Sequence, residues 1–213
     1  MAIIDKGILG PVTGTVGTVT GSSWKGRNYI RSKPGTRKRA ATESQLHQQA
    51  KFRLGIQFVT SLNGFVALGY KNNAGNFTPA NAALSFTLKN GIMGSYPDYT
   101  LNYNLTLVSR GDLPNGGSPA AITQSGNKIH FSWTDNSGVG MAKSTDQSML
   151  LVYCAALKQS VYTLAGGLRN AQSANLDVAI FAGYQVEVFI SFVNEANTET
   201  ANSLYLGSMQ VVA

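Results

Sequence analysis

The stretch "QSMLLVYCAALKQSVYTLAG", residues 147–166, decides the fold. It opens with an apolar run rich in Leu, Val and Tyr, "QSMLLVYCAAL", breaks at Lys158-Gln159, and resumes with a second short run, "SVYTLAG". Both pieces are too short for a membrane-spanning helix, which needs about 20 apolar residues. They read as two β-strands joined by a turn. Working outward from Gly94, runs of the same kind recur. They are "TLVSRG" (106–111), "NKIHFSWTD" (127–135), "ANLDVAI" (174–180), "YQVEVFISFVNE" (184–195) and "SLYLGSMQVV" (203–212). Seven short strands with turn residues between them predict an antiparallel β-sandwich of immunoglobulin or fibronectin type III kind. Trp133 and Tyr184 are the expected core or corner aromatics. The single cysteine, Cys154, excludes the disulfide-bonded immunoglobulin subtype and reads as a small buried hydrophobe.

The N-terminal side has a different character. "PGTRKRAATESQLHQQAKFRL" passes from a basic loop into a helix, with Thr42 as N-cap and Gln45 completing a capping box. Leu46, Ala50, Leu54, Phe58, Leu62 and Phe65 continue at helical spacing, which predicts a helix over 43–62 and a looser one to about 71. A second helix is expected after Thr78 and Pro79, ending at Gly91. Before these, "GTVGTVTG" reads as an extended strand with Val16, Thr18 and Thr20 on one face. "SSWKGRNYIRSKP" reads as a hairpin turning at Lys25-Gly26. The expected class is therefore α+β: an N-terminal β-hairpin plus two helices over residues 1–98, then a β-sandwich over 99–213.

Charge is unevenly placed. Residues 1–72 hold eleven lysines and arginines against Asp5 and Glu43. Residues 73–213 hold six against eight acidic groups, so the formal net charge of +7 belongs to the N-terminal third. Only 13% of residues are charged, against about 25% in ordinary domains, which suits surfaces that are covered by partners. The sharpest cluster is Trp24, Lys25, Arg27, Tyr29, Arg31, Lys33, Arg37, Lys38 and Arg39. Three readings stand beside one another. The cations and aromatics hold nucleic acid, they form a solvated loop with Trp24 packed on the first helix, or they dock on the mildly acidic sandwich of a neighbouring copy.

Chemistry needs titratable groups that converge, and the sequence offers few. The glycine-rich 8–21 segment lacks the Gly-Lys-Ser/Thr end of a phosphate loop. Two distant histidines, His47 and His130, and one cysteine give no zinc spacing. Asp135, Asn136 and Asp146 lie in "DNSGVGMAKSTD", which reads as a polar turn without the terminal Glu of a calcium loop. A Ser-His-Asp set using His130 with Asp135 or Asp146 lacks a nucleophile elbow. Arg110-Gly111-Asp112 reads as a turn at the sandwich entrance. No catalytic residue, metal, cofactor or small-molecule substrate is expected. Without a basic start and apolar core, "MAIIDKGILGPVTG" does not read as a signal peptide, so synthesis in the cytoplasm is expected.

"GILGPVTGTVGTVTGSSWKGRNYIRSKP", "TESQLHQQAKF", "NGIMGSYPDY", "LVSRGDLP", "FSWTDNSGVGMAKSTDQSMLLVY" and "ANSLYLGSMQV" together resemble a family of uncharacterised proteins common in Bacteroidota, a domain of unknown function. Pro11 departs from the second glycine expected there. The stretch from Trp24 to the Gln-rich helix start is also similar, more weakly, to phage-associated open reading frames. The resemblance implies no activity. The function expected is a non-enzymatic, self-assembling homo-oligomer or virion component, with a nucleic-acid-binding module as the alternative.

Overall fold

The computed structural model describes residues 2–4, 7, 10–24, 26–33, 35 and 40–212. The chain divides into two compact units, Met1–Thr42 and Glu43–Ala213.

The first unit is a four-stranded antiparallel sheet in the order β1 (Ile3–Ile4), β2 (Val12–Val16), β3 (Val19–Trp24) and β4 (Arg27–Ser32). It has more strands than the expected hairpin. The glycine-rich ribbon is not one strand but two. Val16 pairs with Val19 and Thr15 with Thr20, and Gly17 at φ +54 takes the first position of the two-residue turn. Only glycine enters that conformation without steric cost. Thr20 therefore lies on the face opposite Val16, contrary to a period-2 count run straight through the turn. The second turn falls where expected: Trp24 pairs with Arg27 across Lys25-Gly26, and Gly26 has φ +76.

The second unit opens with three helices, α1 (Glu43–Ser61), α2 (Asn63–Gly69) and α3 (Pro79–Asn90). The looser continuation of the first helix is a separate helix, broken at Leu62 (φ −102, ψ 12). The ends of α3 follow the sequence signals. Thr78 Oγ1 accepts from the Asn81 N–H at 3.3 Å, Pro79 opens the helix, and the Gly91 N–H closes on Thr87 O at 2.8 Å. A short pair, β5 (Ile92–Met93) with β6 (Thr100–Leu101), leads to the sandwich.

The sandwich has seven strands: β7 (Gly117–Gln124), β8 (Lys128–Thr134), β9 (Gln147–Cys154), β10 (Gln159–Thr163), β11 (Ser173–Asp177), β12 (Gln185–Val193) and β13 (Leu204–Gln210). One sheet runs β11-β8-β7 and the other β10-β9-β12-β13, all antiparallel. This is the fibronectin type III arrangement, with strands one, two and five facing strands four, three, six and seven. Residues 106–111, expected as the first strand, are instead a buried connector. Its backbone bonds scatter over Ser203 Oγ, the Gly69 carbonyl and the Ser203 N–H rather than following one ladder. The true first strand, "GSPAAITQ", carries Pro119 and small residues that hide it. As an edge strand it tolerates the missing proline N–H.

Between the sheets lie Ile129, Phe131, Trp133, Leu150, Val152, Val188, Ile190 and Phe192. Trp133 is the expected core aromatic: its indole N–H donates to Arg169 O at 2.8 Å and its ring meets Phe192 edge-on at 5.4 Å. Tyr184 is not; it is exposed at the entry to β12. The other face of the larger sheet, Met149, Leu151, Tyr153, Phe189 and Val193, packs on Phe58, Val59, Leu62, Phe65 and Val66 of the helices. β9 and β12 are thus covered on both sides, which explains their continuous apolar runs. It also places the helices with the sandwich. The chain divides at 42/43, not at the expected 98/99.

Tyrosines concentrate on this second core. Tyr103 stacks with Tyr205 at 6.2 Å, and the Tyr205 hydroxyl donates to Glu187 at 2.5 Å. Burial pushes the Tyr153 phenol up from 10.0 to about 12. Burial raises Tyr70 and Tyr103 as well; for Tyr205, burial is reinforced by the Glu187 hydrogen bond. A phenol whose folded pKa exceeds its unfolded value stabilises the fold fully below the unfolded pKa and loses that contribution as pH rises through the folded one. Stability is therefore expected to be insensitive to these groups below about pH 10 and to fall above it. Absorbance of tyrosinate at 295 nm should rise in two phases, the later one coinciding with loss of helical signal. A single non-cooperative rise centred on the ordinary phenol value contradicts this.

Candidate interaction surface of the N-terminal sheet

The pairs Trp24–Arg27, Ser22–Tyr29 and Thr20–Arg31 put six side chains on one face of the β3–β4 hairpin. That face carries two aromatics, two guanidinium groups and two hydroxyls, and a further hydroxyl contact joins Thr15 to Thr20 at 3.2 Å. Trp24 is 50% exposed and Tyr29 45%. Of the predicted cluster, Trp24, Arg27, Tyr29 and Arg31 are thus brought together. Lys33 follows β4, with its N–H on Thr18 O at 2.7 Å and its side chain exposed. Lys25, Arg37, Lys38 and Arg39 lie outside the described residues.

The opposite face was not foreseen as a surface. It holds Val16, Val19 and Ile30, with Ser23, Asn28 and Ser32 toward the ends. Val16 is 60% exposed and Ile30 65%. Along β2, β3 and β4, Gly21 alone is buried. The signal for this face was present in the alternation of β4, but it becomes readable only once the turn at Gly17 fixes the register of β2. Chemically, the sheet offers a cationic aromatic face, an apolar face, and β4 as an edge strand able to accept another strand.

The remaining candidates are each held by different partners. His130 Nδ1 meets Asn175 Oδ1 at 2.7 Å across β8 and β11. Asp135 accepts from the Ser137 hydroxyl and, at 2.9 Å, from the Ser137 N–H, which together hold its carboxyl below the usual range; this is the polar turn expected. Asp146 is buried against Arg169, Nη2 to Oδ2 at 3.1 Å. His47 stacks on Tyr96 at 4.7 Å, with Glu43 at 3.7 Å. The Arg110-Gly111-Asp112 turn is pinned, because a Cβ at Gly111 would lie 2.0 Å from Thr200 O. Among the described residues no group of three or more His, Cys, Asp or Glu could hold a metal ion, and no helix is long and apolar enough to cross a membrane.

Comparison with solved structures returns fibronectin type III domains. The fn3 domain of the human collagen alpha-1(XX) chain is 14% identical, with a TM-score of 0.33 over 47% of this chain and 86% of that one. The chicken CNTN1 FN1–FN3 domains are 11% identical, with a TM-score of 0.36 over 49% of this chain and 36% of that one. No curated protein matches. A family model does match, over residues 11–207, and on that match the chain belongs to DUF6266, a family of unknown function.

Proposed function

We propose that this chain is a non-enzymatic, self-associating structural protein whose N-terminal sheet docks onto another copy, building an oligomer or a virion-like particle. One observation carries the reading: β2–β4 form a sheet with exposed apolar residues on one face and exposed aromatics on the other, and Gly21 as their sole buried residue. A small sheet without a covered hydrophobic face is marginal in water. The cationic face is complementary to the sandwich of a neighbour, where residues 99–213 hold seven acidic residues against five lysines and arginines. Two arms meeting face to face would instead oppose Arg27 and Arg31 to their own kind.

Sedimentation of the full chain, of residues 43–213 and of Ile30→Asp tests this. The full chain is expected to form oligomers and both variants to be monomeric while keeping the thermal transition of the body. A full chain that stays monomeric at high concentration overturns it.

A second reading rests on the other face, where Trp24 and Tyr29 stand beside Arg27 and Arg31 in a pattern suited to stacking bases and holding phosphates. It requires single-stranded oligonucleotide binding that weakens steeply with salt. Oligonucleotide binding unchanged in Arg27→Ala/Arg31→Ala removes it.

A further inference from the structure

We infer that the solvent side of the α1–α3 pair is a docking groove for an acidic amphipathic helix of a different protein. Two hollows of about 560 and 380 Å³ adjoin at Leu88, which lines both. Phe52 and Ile56, one turn apart on α1, line the first with Leu88, and Leu84 and Leu88, one turn apart on α3, line the second. Apolar side chains one turn apart on two neighbouring helices are what the side-chain ridge of a third helix packs against. Phe52 is 51% exposed, unusual for a large aromatic on a helix that otherwise feeds a core.

The rim selects the occupant. Lys51, Arg53 and Lys89 line the hollows, and none of the described lining residues is acidic. The partner must therefore bring carboxylates beside its apolar anchors. Among the described helices there is no such segment: α1, α2 and α3 include Glu43 as their single acidic residue. The cationic N-terminal sheet of a second copy would be repelled by the same rim. The aliphatic lining of Ile56, Leu84 and Leu88 suits buried side chains rather than stacked bases.

The test is selection of a random peptide library on the full chain, with counter-selection on Arg53→Glu/Lys89→Glu. Both positions are exposed, so charge reversal leaves the core intact. The enriched peptides should be net acidic, with apolar residues at helical spacing. They should bind the charge-reversed chain, and separately Phe52→Asp, at least about tenfold more weakly. Enrichment of basic or non-amphipathic peptides, no enrichment at all, or equal binding to the variants overturns the inference. So does rim-dependent binding of phosphatidylserine vesicles or of an oligonucleotide in place of peptides.

Discussion

Arg169→Met is expected to cost about 3–5 kcal/mol of folding stability, the range seen when one partner of a buried ion pair is removed. The Arg169 side chain is fully buried, and every part of its head group is used. Nε and Nη2 both reach Asp146 Oδ2 at 3.1 Å, Nη1 donates to Asn136 Oδ1 at 2.6 Å, and Nη2 donates to Pro114 O at 2.8 Å. The guanidinium also lies over the Phe192 ring at 4.4 Å. Methionine would fill much of the volume but leave the Asp146 carboxylate in a site closed to water. Its Oδ2 would keep only the Lys143 N–H at 2.8 Å. The cost is therefore mostly that of an uncompensated charge. Adding Asp146→Leu should recover most of it, because an apolar pair of similar volume is often as stable as a buried ion pair. Urea unfolding of the two single variants and the double variant, analysed as a cycle, measures this. A loss below about 1 kcal/mol in Arg169→Met means the pair does not hold the surrounding loops together.

Phe58→Ala should cost a similar amount, about 3–5 kcal/mol, and the sandwich should feel it. Phe58 is on α1, yet its ring meets Tyr153 of β9 edge-on at 4.9 Å and lies 6.2 Å from Tyr103. Its removal opens a cavity in the core shared by helices and sheet. Helical signal by circular dichroism and the near-ultraviolet signal of Trp133 and its aromatic neighbours should shift together to lower denaturant. Separate transitions, with the sandwich midpoint unchanged, would show that helices and sandwich fold independently.

The parts legible in the sequence are those where local chemistry acts alone. Thr78, Pro79 and Gly91 mark the ends of α3 because caps and proline act on the backbone within one turn. The long runs of β9 and β12 mark buried strands because so many neighbouring residues are apolar. The parts that escaped depend on distant partners. Arg169 lies in "GGLRNA", where nothing nearby announces that Asp146, Asn136 and Pro114 converge on it. Strand β7 is hidden by Pro119, and 106–111 mimics a strand although its backbone bonds divide between Ser203 and Gly69. In the candidate surface, the basic and aromatic residues were evident from composition. The apolar face behind them was not, because it depends on a turn at Gly17 inside what reads as a continuous ribbon.

Strands covered on both sides meet a difficulty that half-exposed strands avoid. In an ordinary sheet a one-residue slip drives polar side chains inward and is rejected at once. In β9 and β12 a slip would exchange one greasy neighbour for another, with little to signal the error. The alignment is instead pinned by hydroxyl and main-chain contacts at fixed points. Ser109 reaches Ser191 of β12 at 2.7 Å, and both hydroxyls meet the Ala201 carbonyl, at 2.8 and 3.1 Å. Ser148 of β9 is clamped through its backbone, its N–H on Gly167 O and its carbonyl on the Gly166 N–H, both at 2.8 Å. A buried serine pair at β12 and main-chain bonds at β9 thereby act as the teeth that keep two otherwise featureless strands from sliding.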